Sequence, residues 1–481
     1  MALLPKTPGV YIEEIPRFPP SIAPVETAIP AFIGYTQKAD LVTAGDLILK
    51  PTRIASLVEY ETYFGLPQDE EHVQVAVQQT TQGTSVSLDK VTATLAENAR
   101  SKHLMYYSLQ LFFANGGGPC YIVSVGLYKA NLGDALVESE LSAGLDVLVK
   151  QDEPTLIVFP EAQSLSIADF KTLHDAALAQ CELLKDRFVI MDVHGDTISL
   201  SDPGANLVTA VDNFRNSGVG TNNLKYGAAY APNIDTVLDF AFDETKTDVT
   251  ITTDGTAASP VKLNTLSGGA GANSRVYEAS KAAIRNIACK MPPSSTMAGI
   301  YAAVDNSRGV WKAPANVSVS SVVGPSIQFS NVQQDLMNVD VTAGKSVNAI
   351  RAFTGKGTLV WGARTLAGND NEWRYVNVRR FFIFVEESTK KATEQFVFEP
   401  NDANTWVRVQ GMIENFLTVL WRQGALQGVK PEHAFYVAVG LGKTMTAIDI
   451  LEGRMIVEIG MAVVRPAEFI ILRFIQKLPE S

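Results

Sequence analysis

The sequence predicts an α/β protein built from more than one domain, and three observations lead to that prediction. The chain has 481 residues, more than a single hydrophobic core usually serves, and 46% of them are hydrophobic. Residues 154–232 alternate strand-like and helical patterns, which is typical of a parallel, doubly wound sheet. Residues 340–481 form a second region of mixed strands and helices. We therefore expect two or three folded domains.

The chain begins with an extended arm over residues 1–25. Seven of the 23 prolines fall within the first thirty residues, and proline disfavours helix at its own and the preceding position. Val10, Tyr11 and Ile12 give this arm a short strand-like patch, which suits strand addition to the sheet of another subunit. The alternative is an unstructured terminus, which is common at chain ends.

The next part of the chain predicts two strands, a helix and a polar excursion. Residues 27–35 and 120–125 have the apolar character of buried strands. Apolar residues recur at helical spacing over 104–112, and Asn115-Gly116 is a natural helix end. Residues 66–100 are polar and of mixed pattern, so we expect a surface excursion there.

The middle of the chain has the clearest alternation of patterns. Strands are predicted at 155–159, 187–193 and 226–230, and helices over 170–184 and 207–214. The segment that follows, 243–274, is rich in Thr, Ser, Gly and Asp, which predicts a surface hairpin or loop. A helix over 275–290 should then end before Pro292-Pro293.

The C-terminal region predicts one long helix and several strands. Apolar residues from Trp406 to Leu420 form a helical stripe, and Asp402 is placed to cap the start of that helix. Strands are predicted at 435–439, 455–464 and 468–474. The last of these, containing Phe469, Ile470, Ile471 and Leu472, is very apolar for a segment so near the chain end.

Composition excludes several classes of function. The net charge is −11, from 40 basic and 51 acidic residues without a basic run, which argues against a nucleic-acid partner. The cysteines Cys120, Cys181 and Cys289 lie in apolar surroundings, so we expect three buried thiols in a reducing compartment. No secretory signal or bilayer-spanning segment is predicted. We therefore expect assembly in the cytoplasm and no membrane insertion.

An enzyme is the alternative class, and its usual motifs are incomplete. Gly442-Lys443-Thr444 resembles the end of a phosphate-binding loop, but that loop needs a glycine where Val437 stands. Asp192, His194 and Ser295 could belong to a hydrolytic triad, but their spacing does not supply the required geometry. The scattered histidines show no zinc spacing. No catalytic, cofactor-binding or metal-binding residue is predicted, and an α/β hydrolase-like enzyme remains the alternative.

A stretch rich in tryptophan and arginine is the most informative part of the sequence. Such planar side chains suit wide, flat contacts. We expect Val360 and Trp361 in the core, whereas Arg374, Arg379 and Arg380 need partners. The segments of the stretch are Trp361-Gly362-Ala363-Arg364-Thr365-Leu366, Trp373 to Arg380, Phe398-Glu399-Pro400-Asn401-Asp402 and Trp406.

This stretch closely resembles the C-terminal domain of contractile tail sheath proteins, found in phage tails and in phage-tail-like injection particles. Further segments fit the same family in the same order along the chain. They are Thr7 to Glu14, Ile29 to Gly34, Phe112 to Tyr121, Ala298 to Tyr301, Arg308 to Pro314 and Arg465-Pro466-Ala467-Glu468-Phe469.

The resemblance implies a discontinuous core domain, an outer domain and an arm. Residues 26–130 and 340–481 would form the core domain that faces an inner tube. Residues 150–335 would form an outer, subtilisin-like, doubly wound α/β domain with a surface insertion at 243–274. The extended arm would be residues 1–25.

The resemblance also implies a non-enzymatic function without a cofactor. The chain would form a helical homopolymer around an inner tube protein and meet baseplate and terminal cap proteins, with paralogous sheath subunits as possible neighbours. Contraction would drive the tube through a target envelope. The particle would be a phage tail or an injection particle, released or anchored in the producing cell, and the absence of a long insertion after the middle domain favours the injection particle.

Two sets of residues are candidates for contacts between proteins. Strand addition between subunits is assigned to Val10, Tyr11 and Ile12 of the arm and to the apolar segment 469–472. Arg408 and Arg422 lie away from the apolar stripe of their helix and are candidates for the contact with the tube. For these two arginines, solvation or pairing within the subunit is the alternative.

Overall fold

The computed structural model describes residues 22–96, 99–195, 203–268 and 272–473. The predicted strand patch at Val10, Tyr11 and Ile12 lies outside the described residues. The chain divides into two compact units. The larger consists of Glu26–Phe384 with Arg465–Ser481, and the smaller of Met1–Val25 with Val385–Val464.

The described residues form a mixed α/β fold. The strands are β1 (Pro30–Thr36), β2 (Thr52–Ile54), β3 (Gln74–Gln82), β4 (Ser85–Thr94), β5 (Cys120–Leu127), β6 (Leu156–Val158), β7 (Phe188–Asp192), β8 (Gly227–Ala231), β9 (Ile234–Thr236), β10 (Asp248–Thr253), β11 (Thr256–Ala257), β12 (Val261–Lys262), β13 (Cys289–Met291), β14 (Val317–Ser318), β15 (Val322–Pro325), β16 (Val347–Phe353), β17 (Gly357–Trp361), β18 (Phe435–Val439) and β19 (Val457–Met461).

The helices account for most of the remaining regular structure. They are α1 (Leu57–Phe64), α2 (Met105–Ala114), α3 (Glu138–Val147), α4 (Ile167–Leu184), α5 (Pro203–Asn213), α6 (Ser274–Arg285), α7 (Ser294–Arg308), α8 (Asn331–Asn338), α9 (Val376–Thr393), α10 (Ala403–Arg422), α11 (Pro431–Ala434) and α12 (Ala447–Leu451). None of the described helices has both the length and the apolar character needed to cross a membrane.

A nine-stranded sheet organises the larger unit. Its order is β14-β17-β16-β8-β7-β6-β1-β5-β2. The neighbours from β5 across to β16 pair in parallel, and the outer pairs are antiparallel. Every residue of β1 is buried, as expected for a parallel strand covered on both faces. The predicted alternation of strands and helices over 154–232 is confirmed by β6, α4, β7, α5 and β8.

One sheet contains strands from residues 26–130 and from 150–335, segments that the sequence predicts in different domains. Strand β1 pairs with β5 on one side and with β6 on the other, so residues 26–130 and 150–335 contribute to the same sheet. The physical reason is that β1 lies inside the sheet and therefore has two neighbouring strands, which come from different parts of the chain. The segment that separates as a compact unit is instead Val385–Val464, together with Met1–Val25.

Two segments predicted as surface excursions meet in a second sheet with a core of its own. Strands β3 and β4, from the first polar segment, join β10, β11 and β12 from the later one. The pairing of β3 with β10 is parallel and links residues far apart in sequence, so no local pattern reveals it. The buried core of this sheet, which includes residues of α6, consists of Val73, Val75, Val77, Leu95, Val249, Leu263, Leu266, Val276 and Ile284.

The smaller unit contains α10 and a two-stranded sheet. Asp402 caps α10 by accepting a 3.0 Å hydrogen bond from the amide of Thr405, as predicted. Strands β18 and β19 pair antiparallel and confirm the predicted strands at 435–439 and 455–464.

Two predictions about the ends of elements are wrong. Helix α6 ends at Arg285, because 289–291 forms strand β13, which pairs with β9. The described residues 468–473 of the strand predicted at 468–474 are in no strand. A strand exists through its pairing, and this segment has no neighbouring strand among the described residues.

Candidate assembly surfaces

The end of the described chain exposes four apolar side chains in a row. Phe469, Ile470, Ile471 and Leu472 are 69%, 77%, 78% and 72% exposed. Single exposed apolar residues are ordinary, but a continuous exposed apolar run indicates a surface that another protein covers. In the structure this candidate strand is therefore exposed and has no neighbouring strand among the described residues.

Directly before this segment, the carboxylate of Glu468 is held by three other side chains. Arg364 donates from Nε to Oε1 at 2.9 Å and from Nη2 to Oε2 at 2.7 Å. Asn338 Nδ2 donates to Oε1 at 2.8 Å, and the hydroxyl of Tyr375 donates to Oε2 at 3.0 Å. We call Arg364, Asn338 and Tyr375 the Glu468 seat. Paired charged hydrogen bonds of this geometry are among the strongest and most directional in proteins.

The seat is itself fixed by the surrounding fold. The backbone amide of Arg364 donates to Asn348 Oδ1 at 2.7 Å, and Asn348 Nδ2 donates to the Arg364 carbonyl at 2.7 Å. Asn348 lies in β16, Asn338 ends α8, and Tyr375 immediately precedes α9. The side chain of Arg364 is 6% exposed and that of Glu468 20%. The chain end is therefore attached to a rigid part of the larger unit.

The electrostatics of the seat favour the charged carboxylate. Burial by itself would raise the pKa of Glu468. The hydrogen bonds from Arg364, Asn338 and Tyr375 and the positive charge of Arg364 outweigh burial and hold that pKa below its ordinary value. The attachment is therefore intact at neutral pH and weakens when strong acid protonates the carboxylate.

A second arginine anchors the start of the first strand. Arg380 Nη2 donates to Asp305 Oδ2 at 2.5 Å and to the carbonyl of Thr27 at 2.9 Å, and the hydroxyl of Thr27 donates to Asp305 at 2.6 Å. The guanidinium also lies over the ring of Tyr301, 4.5 Å from its centroid. The Arg380 and Asp305 side chains are only 3% and 5% exposed. This buried cluster holds the chain where the N-terminal arm joins the fold.

The sheet of β18 and β19 is the candidate acceptor for added strands. In the described chain these two strands form a sheet of their own. Most of their residues are partly or fully exposed, including Tyr436. A two-stranded sheet is marginally stable alone, and its outer edges carry backbone groups that can pair with a further strand.

Helix α10 separates a buried face from an exposed one. Thr405, Val409, Met412, Ile413, Phe416, Leu417 and Leu420 form the buried face. Arg408 and Arg422 are exposed, and they share one side of the helix with exposed Asn415, since the spacing between these residues is seven. The Arg408 guanidinium lies over Phe396, 5.3 Å from its centroid. Neither arginine forms an ion pair with another described residue, so both charges face outward.

The other arginines of the stretch from Trp361 to Trp406 have partners within the chain. Arg379 is buried and lies over the rings of Tyr226 and Trp373, at 4.9 and 4.6 Å from their centroids. Arg374 bonds to Asn371 on the surface. Val360 is buried as predicted, but the prediction for Trp361 is wrong: its side chain is 39% exposed and packs against Phe353. Trp361 ends β17 near the margin of the sheet, so one side of its ring stays open.

The residues considered for enzyme chemistry form other bonds. Asp192 accepts hydrogen bonds from the amide and hydroxyl of Ser294 at 2.7 and 2.6 Å. His194 Nε2 donates to the carbonyl of Leu165 at 2.9 Å instead of pairing with Asp192. The amide of Gly442 donates to the carbonyl of Met445, so it points into its own turn. These contacts stabilise loops and helix starts and do not build a triad or a phosphate loop.

The crevice where doubly wound sheets usually bind ligands is filled by a side chain. Glu161, which follows β6, is fully buried and accepts hydrogen bonds from the amides of Tyr35 and Leu104, both at 3.1 Å. Leu104 begins α2, so the carboxylate occupies the helix N-terminus that would otherwise attract an anion. The fold uses this position for its own stability.

The Glu468 seat has no local signature in the sequence. Arg364 and Glu468 belong to two separate motifs over a hundred residues apart, and no local pattern joins them. One signal was available: Glu468 is a charged residue directly before an apolar run, where a carboxylate needs a partner if the segment is ordered.

The chain is similar to known proteins in both sequence and structure. The family described as phage tail sheath C-terminal domain matches residues 368–477. The tail sheath protein of Burkholderia phage BcepMu is 29% identical over 142 residues, which cover 29% of this chain and 30% of that protein. The alignment thus spans under a third of that curated relative.

Solved structures match over nearly the whole chain. A chain of the PVC sheath complex, an extracellular contractile injection system in the contracted state, is 29% identical, covers 99% of both chains and has a TM-score of 0.63. Chains of the anti-feeding prophage, from its contracted helical sheath and from its baseplate, are each 31% identical with a TM-score of 0.61. They cover 98% and 99% of this chain and 100% of their own length.

Proposed function

The chain belongs to the contractile tail sheath family, and we propose that it is the sheath subunit of a contractile injection system. Many copies polymerise helically around an inner tube and contract to drive that tube through a target envelope. The observation that carries this proposal is the match, over the full length of both chains, to the contracted helical sheath of the anti-feeding prophage. The role is structural, not enzymatic, and uses no cofactor.

An injection particle is favoured over a phage tail. The matches to injection-system chains extend over the entire chain, whereas the match to the phage BcepMu protein covers 30% of that protein. The subunit would assemble in the cytoplasm and become part of a particle that is released from, or anchored in, the producing cell. A myophage tail sheath is the second candidate and is supported by the C-terminal domain that the phage family shares.

Subunits are joined by strands that each donates to its neighbours. The exposed run 469–472 supplies one strand, and Val10, Tyr11 and Ile12 of the arm supply another. The open edges of the β18–β19 sheet receive them, because added strands complete a sheet that is marginal alone. Such flexible links let subunits rotate as rigid bodies during contraction while the lattice stays connected.

The smaller unit provides the contact with the tube through the exposed side of α10. Arg408 and Arg422 lie on that side without an ion pair among the described residues. Exposed charge contacts contribute about 0–1 kcal/mol each, which suits a surface that must release the tube. Residues 26–130 and 340–481 would face the tube, and 150–335, with a subtilisin-like fold, would face outward.

Contraction needs no nucleotide in this mechanism. The extended sheath is held in a kinetic trap, and contraction releases it into a lattice with more buried interface. Baseplate proteins start the release, terminal cap proteins close the far end, and paralogous sheath subunits are further candidate neighbours.

Electron microscopy of two truncated proteins tests the proposal. We expect full-length protein, expressed with its tube, to form helical sheaths. Chains without residues 1–20, or without 469–481, should stay folded and monomeric, because each lacks one donated strand. Normal sheaths from both truncated chains would contradict strand addition, and discrete particles from the full-length chain would contradict the sheath function.

A further inference from the structure

We propose that the Glu468 seat fixes the register of the C-terminal strand, so that segment 469–472 pairs with a neighbouring sheet at one position only. This inference rests on the strand addition proposed above. It assigns to Glu468, Arg364, Asn338 and Tyr375 a positioning role in assembly, since none of them belongs to the exposed run itself.

The need for such a device follows from the sequence of the strand. In a half-buried strand, alternation of apolar and polar residues fixes the register, because a slip of one residue would bury the polar set. In segment 469–472 both faces are apolar: Phe469 and Ile471 point to one side, Ile470 and Leu472 to the other. A slipped strand would bury nearly the same apolar area, so the strand cannot choose its own register.

The seat supplies the missing constraint directly before the strand. Glu468 adjoins Phe469 in the chain, and its carboxylate is bound from three directions by Arg364, Asn338 and Tyr375. Three residues earlier, Arg465 Nη1 donates to the carbonyl of Asn371 at 2.8 Å. A slip of one residue displaces a strand by about 3.3 Å, which is enough to break each of these hydrogen bonds.

The short connection between these two attachments is also stiff. Pro466 has a ring-restricted backbone angle, which limits the conformations of the segment between Arg465 and Glu468. The strand therefore leaves the subunit from a defined point. How far each strand residue extends toward a neighbour then depends on its position in the chain after Glu468.

Two changes, made singly and together, test whether the Glu468 seat fixes the register. The first change inserts one alanine between Glu468 and Phe469, which keeps the seat but shifts the strand by one residue. The second is Glu468→Gln, which keeps the shape of the side chain but removes its charge and so loosens the attachment. The quantity measured is the protein concentration above which sheath polymers form. Glu432→Gln, at an exposed site, is the matched control.

If the Glu468 seat fixes the register, the effects of the insertion and of Glu468→Gln on the critical concentration should not be additive. The insertion should raise the critical concentration at least tenfold in the otherwise unchanged protein, a factor worth about 1.4 kcal/mol. In the Glu468→Gln protein the loosened strand can slide back by one residue. The same insertion should therefore raise the critical concentration by less than about threefold. Cryo-electron microscopy of those polymers should show the strand returned to its original pairing.

Other outcomes separate this inference from the proposed function. If the insertion has the same effect in both backgrounds, the seat only stabilises the subunit and the register inference is wrong. If the chain without 469–481 assembles normally, strand addition by the C-terminal segment is wrong. Thermal unfolding of each monomer checks folding. If Glu468→Gln does not fold, Arg364→Lys, which keeps the positive charge but cannot form the two parallel hydrogen bonds to the carboxylate, replaces it, and equal insertion effects in that background would likewise overturn the inference.

Discussion

Two of the sheets in the described residues, the nine-stranded sheet and the sheet of β18 and β19, differ in how far they are complete within one chain. The nine-stranded sheet of the larger unit buries every residue of β1, β7 and β8 and is capped at its margins by short antiparallel strands. The two-stranded sheet of β18 and β19 leaves most of its residues partly or fully exposed. The first is the product of folding one chain, whereas the second is a partial sheet that other chains can complete.

Because of this difference, the larger sheet determines the stability of a lone subunit, whereas the sheet of β18 and β19 is available for assembly. Burial of apolar surface stabilises the larger unit whether or not neighbours are present. Exposed strand edges and exposed apolar runs add nothing to the stability of a lone subunit and would be a hazard in an ordinary monomer. Under the strand addition proposed above, they are the surface through which subunits bind in the polymer. Mutations in the two sheets should therefore affect different measurements.

The largest contrast is expected between two aromatic residues, one in each sheet. Phe32 in β1 is fully buried and packs against Phe112, with ring centroids 5.2 Å apart. Phe32→Ala should lower the free energy of unfolding by about 3–5 kcal/mol, because it leaves a cavity in a closed core. Tyr436→Ala in β18 should change it by less than about 1 kcal/mol but reduce polymer formation. Urea unfolding and sedimentation of polymers measure the two effects. Equal losses of stability would abolish the contrast.

The next effect concerns the anchor at the start of β1. Asp305→Asn removes the charge that Arg380 faces in a buried pair, and it should destabilise the monomer by about 3 kcal/mol. Urea unfolding measures that loss, with Asp212→Asn, which changes an exposed carboxylate paired with the buried Arg215, as the control. Since the anchor belongs to the larger unit, we expect the loss to appear in the monomer before any defect of assembly. A normal unfolding midpoint for Asp305→Asn would show that the pair contributes little.

The larger sheet also shows what the sequence could predict. Strands β1, β5, β6, β7 and β8 and their helices were predicted because buried parallel strands and amphipathic helices have local signatures. The position of β1 between β5 and β6 was not predicted, because it depends on pairing across long stretches of chain. The sheet of β3, β4 and β10 was missed for the same reason, and its exposed faces are polar.

The candidate sites also differ in whether the sequence could predict them. The apolar run 469–472 and the exposed arginines of α10 were identified from composition and spacing, which are local properties. The Glu468 seat and the Arg380–Asp305 anchor depend on partners from distant segments. Sequence patterns therefore indicate which surfaces are available for binding, but not what holds them in place.

A pH titration should give a smaller effect, located where the sheet of β3, β4 and β10 joins the larger one. Glu70 is buried there, and its carboxylate accepts a hydrogen bond from the amide of Ser101. The pKa of Glu70 is raised to about 7, mainly by burial, with the charges of Asp69 and Glu71 adding to the rise and the Ser101 amide and the Arg100 charge opposing it.

The sign of this effect follows from proton binding. Between the unfolded pKa of about 4.5 and the folded pKa of about 7, the folded state holds a proton that the unfolded state has lost. Stability should therefore fall as pH rises through this window, by at most about 1.4 kcal/mol per pH unit from this group. Glu70→Gln should flatten the profile measured by urea unfolding at pH 5, 6 and 7, relative to Glu432→Gln. An unchanged slope would show that Glu70 is charged throughout.

The smallest change in monomer stability and the most specific defect in assembly are expected from substitutions in α10. Arg408→Glu with Arg422→Glu reverses two exposed charges, so the stability of the monomer should change by less than about 1 kcal/mol. Assembly on the tube should nevertheless fail, because each of the many subunits repeats the unfavourable contact along the tube. Contracted polymers that form without a tube should remain normal, since their contacts are between strands. Lys430→Glu, also exposed in the smaller unit, is the control for net charge. Electron microscopy with and without the tube protein distinguishes the outcomes: loss of both polymers would place these arginines between sheath subunits, and loss of neither would leave them solvated.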